Sequence, residues 1–156
     1  VKIGLIGDTH DGIVAFDTIE DRVTQAFSGV ELILHCGDLT TLGLLDRLGA
    51  IAPVVAVRSA GDPPAAPPRL VEGPYVLDAA GMTVGLVNTL GEQNPEELFG
   101  RPVDIVVHGG THAASVAHEG GRLSVNPGSP TLADETTVAI LEIRDGTAAA
   151  TIVAMG

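Results

Sequence analysis

The first apolar run of this chain, Val1-Lys2-Ile3-Gly4-Leu5-Ile6-Gly7, gives way to Asp8 and His10, a carboxylate and an imidazole two residues apart. Such groups pack poorly in a core but hold a metal ion well. Two further apolar runs end in the same way. One reads Glu31-Leu32-Ile33-Leu34-His35-Cys36-Gly37-Asp38, and the other Val103-Asp104-Ile105-Val106-Val107-His108-Gly109-Gly110-Thr111-His112. Asp8, His10, Asp38 and His112 are therefore the candidate metal ligands. Residues two apart on a strand share a face, so Asp-x-His at a strand end predicts side chains on one side. A mixed imidazole and carboxylate shell suits Mn²⁺, Zn²⁺ or Fe²⁺ better than Ca²⁺, which prefers oxygen alone. Singly, each residue has a plainer reading: Asp as a helix N-cap, His as a polar strand end. Three fragments ending alike, each beside glycine, favour a shared site.

The elements that must carry these residues follow from periodicity. Segments 1–6 and 31–36 read as buried parallel strands. Between them Phe16, Ile19, Val23, Ala26 and Phe27 recur at helical spacing, which makes a βαβ unit. Leu42, Leu44, Leu45 and Leu48 predict a second helix ending near Gly49, and 53–57 a third strand. Open α/β sheets place their sites at the carboxyl ends of strands, where these ligands fall. The second half predicts hairpins instead: 75–78 with 82–88, 115–118 with 122–125, and 137–144 with 147–154. A short helix is expected at 95–99. A parallel half followed by an antiparallel half implies two packed sheets with helices outside. The proline-rich stretch 61–68 predicts a stiff exposed loop.

Composition limits the functions available. At 156 residues the chain fits a single domain, 1–156, able to bury about two-thirds of its unfolded surface. Aromatic residues are 3% of it, so the core must be aliphatic and no base-stacking platform is available. Eight Lys and Arg against twenty Asp and Glu give a net charge of −12, which argues against nucleic acid and anionic membranes as partners. A phosphorylated substrate stays open, because a divalent cation reverses the local charge. A lone Cys36 suits a reducing compartment. With no basic leader ahead of the first strand and no apolar run near the ~20 residues of a span, a cytoplasmic location is expected.

Taken together, the pieces resemble the calcineurin-like metallophosphoesterases, in particular their small single-domain bacterial and archaeal branch, which is related to a scaffold subunit of retromer. The resemblance rests on Gly7-Asp8-Thr9-His10, His35-Cys36-Gly37-Asp38, Val57-Arg58, Gly109-Gly110-Thr111-His112 and Asn126-Pro127-Gly128-Ser129-Pro130, which span the chain in family order. It implies an α/β fold, a four-layer αββα sandwich of two mixed sheets flanked by helices. It also implies two metals about 4 Å apart that clamp a phosphate and activate a water. Asp8, His10 and His112 match ligands of the first metal, and Asp38 matches the bridging carboxylate. Three family ligands of the second metal alone are missing. Ala60 stands where the family has Asn, and Asn88 and Gly110 stand where it has His.

The resemblance therefore implies a metal-dependent phosphoesterase acting on a small phosphodiester or phosphomonoester, with one ion rather than two. Mn²⁺ is the expected metal, with Zn²⁺, Fe²⁺ or Ni²⁺ as alternatives. Asp62, Asn88 and His108 are candidate replacements at the second site, and Arg58 is a candidate phosphate clamp. His35 is expected to orient the ligands by hydrogen bonding. The alternative reading is a weak or inactive member that keeps a metal for stability and serves as a binding scaffold. The second-half hairpins offer an exposed edge for a homodimer.

Overall fold

Alternation along the first strand divides the molecule into layers. The computed structural model describes residues 1–10 and 16–155. In chain order its elements are β1 (Lys2–Ile6), a short 3₁₀ turn (Phe16–Thr18), α1 (Glu20–Ala26), β2 (Leu32–His35), α2 (Gly43–Gly49), β3 (Val54–Val57), β4 (Leu70–Val71) and β5 (Tyr75–Ala79). There follow β6 (Met82–Leu86), α3 (Pro95–Phe99), β7 (Ile105–Val107), β8 (Ser115–Glu119), β9 (Arg122–Asn126), β10 (Thr137–Arg144) and β11 (Thr147–Ala154). Ile3 and Leu5 of β1 face a core shared with Leu86, Ile105 and Val107 of the other sheet. Ile6 faces the opposite way, into a second core with Phe16, Val23, Phe27 and Leu45 from the helical layer.

Gly4 shares the helical side, and the reason is space. A Cβ there would stand 2.9 Å from the Phe27 ring. Gly4→Ala is expected to destabilise the protein by about 1–3 kcal/mol through overpacking, measured by urea unfolding. An unchanged midpoint would show that Phe27 can move aside. Gly85 plays the same part on the far side, where a Cβ would lie 2.6 Å from Phe99 of α3. The Asn94 side chain caps α3, Pro95 stands in its first turn and Gly100 ends it in the left-handed conformation. The layers thus run helices α1 and α2, first sheet, second sheet, α3.

The first sheet has the order β11-β10-β1-β2-β3-β4 and the second β5-β6-β7-β9-β8. Two expectations are corrected here. The hairpin of β10 and β11 joins the first sheet, where β10 pairs antiparallel with β1. The second sheet keeps both expected hairpins, β5 with β6 and β8 with β9, but joins them through a parallel centre of β6, β7 and β9, so it is mixed and not antiparallel throughout. The cause lies in burial. β10 buries Val138, Ala139, Leu141 and Ile143, which divide between both cores, as a central strand requires. β4 went unread because two residues leave no periodicity. The loop ahead of it is exposed as expected, except that Asp62 is buried.

Candidate metal centre

Strand β1 stops at Ile6, so Asp8 and His10 lie in the loop beyond it and strand alternation does not position them. They converge through a different device. Asp8 and His10 have φ of 50° and 46°, and Asp38 and His112 have 58° and 63°. All four candidate ligands are left-handed, a conformation that costs non-glycine residues about 1–2 kcal/mol each, less for Asp and His. Strain of this kind gathers where the surrounding structure enforces it for function. The enforcing bonds are visible. The Asp8 N–H donates to Gly37 O at 2.9 Å and the His10 N–H to Asp38 O at 2.8 Å, which locks the first two ligand loops together.

The side chains meet. Asp8, His10, Asp38 and His112 each offer one ligand atom, and these atoms lie within 4.8 Å of one another. His10 Nε2 is 3.2 Å from His112 Nε2 and 3.9 Å from Asp38 Oδ2. The two imidazoles stand edge to face with centroids 5.1 Å apart. Asp8 is fully buried, and the Gly110 N–H donates to both its oxygens, at 3.1 and 2.9 Å. Burial, reinforced by Asp38, pushes the Asp8 carboxyl up to about 6 despite that donor. Asp38 goes the other way. Burial would raise it, but bonds from Ser59 and Asp8 and the nearby His10 hold it below the usual range. A buried carboxylate whose charge burial disfavours, beside a second carboxylate and two converging imidazole nitrogens, is a donor set that fits a divalent cation.

A second ring of residues sets the ligands. His35 is fully buried and accepts the Gly37 N–H at Nδ1 (3.0 Å), so its proton sits on Nε2 and donates to Thr9 Oγ1 (3.0 Å). The imidazole thereby shapes both the loop of Asp38 and that of His10. Burial drives its pKa from 6.5 down to about 4. The unfolded chain takes up a proton between those values and the folded one does not. His35 thus stabilises the fold fully above about pH 6.5 and progressively less as pH falls through 4. Across that window wild type should lose about 3 kcal/mol from this group. The variant His35→Gln, which keeps a donor but cannot ionise, should lose less. Parallel urea midpoints for the two between pH 7 and 4 would contradict the assignment.

Ser59 was not singled out from the sequence, yet its hydroxyl lies 2.6 Å from Asp38 Oδ1 and 2.9 Å from Asp62 Oδ2, and accepts the Asp38 N–H at 2.9 Å. A hydroxyl directly after Arg58, where the family has Gly, was the available signal. Ser129 is buried and donates to Asp8 O at 2.8 Å. The Asn126 amide donates to Thr111 Oγ1 at 3.0 Å, next to His112. Cys36 lies buried beneath the site, its thiol pushed well up by burial, and is inert.

The candidate substitutes for a second site stand as follows. Asp62 is buried and spends its carboxylate on the N–H groups of Thr40 (2.8 Å) and Ser59 (2.9 Å). Arg58 donates to Pro63 O and Asp62 O, at 2.9 and 3.0 Å, and faces Glu72 at 3.6 Å. It closes its own loop. The Asn88 amide nitrogen donates to Cys36 O at 2.8 Å and its oxygen accepts from Thr89. His108 is half-buried, with a pKa lowered by burial, and lies outside the cluster of four. At Gly110 a Cβ would stand 2.8 Å from Thr89 Oγ1, so this side of the site is filled.

A model of the calcineurin-like phosphoesterase superfamily domain matches residues 1–146. The chain belongs to that superfamily. A probable metallophosphoesterase of Methanocaldococcus jannaschii is 34% identical over 83% of this chain and 68% of its own length. Two solved structures share the fold. A novel archaeal phosphodiesterase superposes with a TM-score of 0.73 at 19% identity, covering 98% of this chain and 100% of that one. Vps29 of Entamoeba histolytica complexed with Zn²⁺ gives 0.68 at 22%, over 100% of both chains. Membership of the superfamily implies a divalent metal, and the four converging side chains are a group that could hold one. Among the described residues no helix is long and apolar enough to cross a membrane.

Proposed function

We propose that this chain is a metal-dependent phosphoesterase that hydrolyses a small phosphodiester or phosphomonoester at one metal, held by Asp8, His10, Asp38 and His112. The convergence of those four ligand atoms within 4.8 Å carries the reading. When bound, a divalent ion, for which we favour Mn²⁺, supplies a Lewis acid and lowers the pKa of a coordinated water. The chain's own groups do the rest. Asp8 and Asp38 offer carboxylate oxygens, and His10 and His112 turn ring nitrogens to the same point. The Gly110 N–H and the Ser59 hydroxyl keep the carboxylates in place. The net charge of −12 disfavours a phosphate, and a divalent ion held by these four residues would offset that charge locally. Residues 1–156 act as one domain in this reading, and the reducing cytoplasm suits its one cysteine.

The test is turnover of bis-p-nitrophenyl phosphate and p-nitrophenyl phosphate by chelator-treated protein with and without Mn²⁺, alongside Asp38→Ala. Mn²⁺-dependent release of nitrophenolate that the variant lacks is the expected result, with about one ion per chain by elemental analysis. Absence of turnover with Mn²⁺, Zn²⁺, Fe²⁺ and Ni²⁺ alike would shift the reading to a metal-stabilised binding protein. Ala60, Asn88 and Gly110 at the second-metal positions favour that second reading.

A further inference from the structure

Four strands end the two sheets: β4 and β11 the first, β5 and β8 the second. An edge strand presents unpaired N–H and C=O groups, and proteins guard such edges with charge, proline or brevity. Three of these edges are guarded. β4 has two residues, between Arg69 and Glu72. β5 follows Pro74 and carries Asp78, and β8 carries His118 and Glu119. β11 is not guarded. Its eight residues, Thr-Ala-Ala-Ala-Thr-Ile-Val-Ala, contain no charge, proline or glycine, and they extend for about 26 Å.

We propose that β11 pairs with β11 of a second copy, antiparallel about a two-fold axis at Thr151, so that the two six-stranded sheets become continuous. The occupant is a second copy because the strand complements itself. Ala148, Ala150 and Ile152 face the core between the sheets. A two-fold normal to the sheet keeps those residues on the same face in both copies. With Thr151 against Thr151, Ala150 meets Ile152 and Ala149 meets Val153, so each bulky side chain lies opposite an alanine. An axis at Ile152 would instead set two isoleucines against each other.

Charge agrees. Two copies with a net charge of −12 each repel over most of their surface, and this uncharged strand is where they approach at least cost. Asp145 lies in the turn at the start of β11, while Arg22 reaches Met155 O (2.9 Å) at its end. Antiparallel pairing brings these opposite charges to the same end, twice. β8, the edge of the other sheet, packs beside β11 and carries Val116, one of the few exposed large apolar side chains.

Light scattering on the size-exclusion peak should give twice the chain mass at micromolar concentration. Thr151→Lys, which places two ammonium groups on the axis, should give the monomer mass with an unchanged circular dichroism spectrum. Thr151→Cys should form an intermolecular disulfide on mild oxidation, while Thr147→Cys and Ala150→Cys do not; native Cys36 is buried. A monomeric wild type, a Thr151→Lys variant that remains dimeric, or cross-linking through Ala150→Cys in place of Thr151→Cys would overturn the proposal. These readouts need no turnover, so they stand apart from the phosphoesterase assay.

Discussion

Replacing Asp8 with asparagine should make the metal-free protein more stable at about pH 8 and abolish its response to Mn²⁺. The two effects have one origin. Asp8 is fully buried and its folded pKa, about 6, lies above its ordinary 3.8. The folded state therefore holds the proton more tightly than the unfolded one. The resulting stability is complete below about pH 4 and is lost as pH rises through 6, where the fold must carry a desolvated charge. Asparagine keeps an acceptor for the Gly110 N–H and gains a donor toward Asp38 without that charge. From the size of the shift, the variant should gain about 3 kcal/mol near pH 8, or roughly 5–10 °C in Tm. The gain should vanish near pH 4. Thermal melts of both proteins in chelator and in Mn²⁺, from pH 4 to 8, check this. A wild type as stable as Asp8→Asn in chelator at high pH would show that the carboxylate is not under the stress inferred. The comparison must be between variants, since His35 loses stability in the window where Asp8 gains it. The metal-free wild type should therefore look nearly flat there.

The second large effect is a gain. Restoring the family's residues with Ala60→Asn, Asn88→His and Gly110→His should not by itself create a second metal site. Gly110 is the obstacle, because any side chain there runs into Thr89 Oγ1 at 2.8 Å. Adding Thr89→Gly clears the space, and the left-handed backbone at 110, where φ is 88°, costs His some strain that a bound ion would offset. The four-fold variant should bind two Mn²⁺ ions per chain and turn over bis-p-nitrophenyl phosphate about 100-fold faster than wild type, a barrier lower by about 2.7 kcal/mol. Elemental analysis and initial rates decide it. One ion per chain and an unchanged rate would mean that the loop after β3, held by Arg58 and Asp62, cannot present residue 60.

The strands carrying the ligands were legible because they are apolar runs bounded by glycine, and the ligands because Asp and His are foreign to such runs. Sheet membership was harder. A hairpin at 137–154 announces its turn through Asp145-Gly146 but says nothing about which edge it will extend. That depends on β10 having apolar residues on both faces. Ser59 and Thr9 escaped notice because a hydroxyl becomes informative only when its partner is known. The geometry of Asp8 and His10 was read by strand alternation, whereas the backbone had already left the strand. No local pattern distinguishes a left-handed Asp from one that caps a helix.

That handedness also governs how such a centre can change over time. A left-handed backbone tolerates few residue types, chiefly glycine, asparagine, aspartate and histidine. Aspartate and histidine are good ligands, and glycine is the most comfortable occupant of all. Drift at these positions is therefore channelled: a ligand exchanged for glycine leaves a protein that folds at least as well as before. Gly110, at φ 88° where the family has His, has the form of one such step. The step is not undone by one exchange, because the Thr89 hydroxyl now fills the space that a side chain at 110 would need.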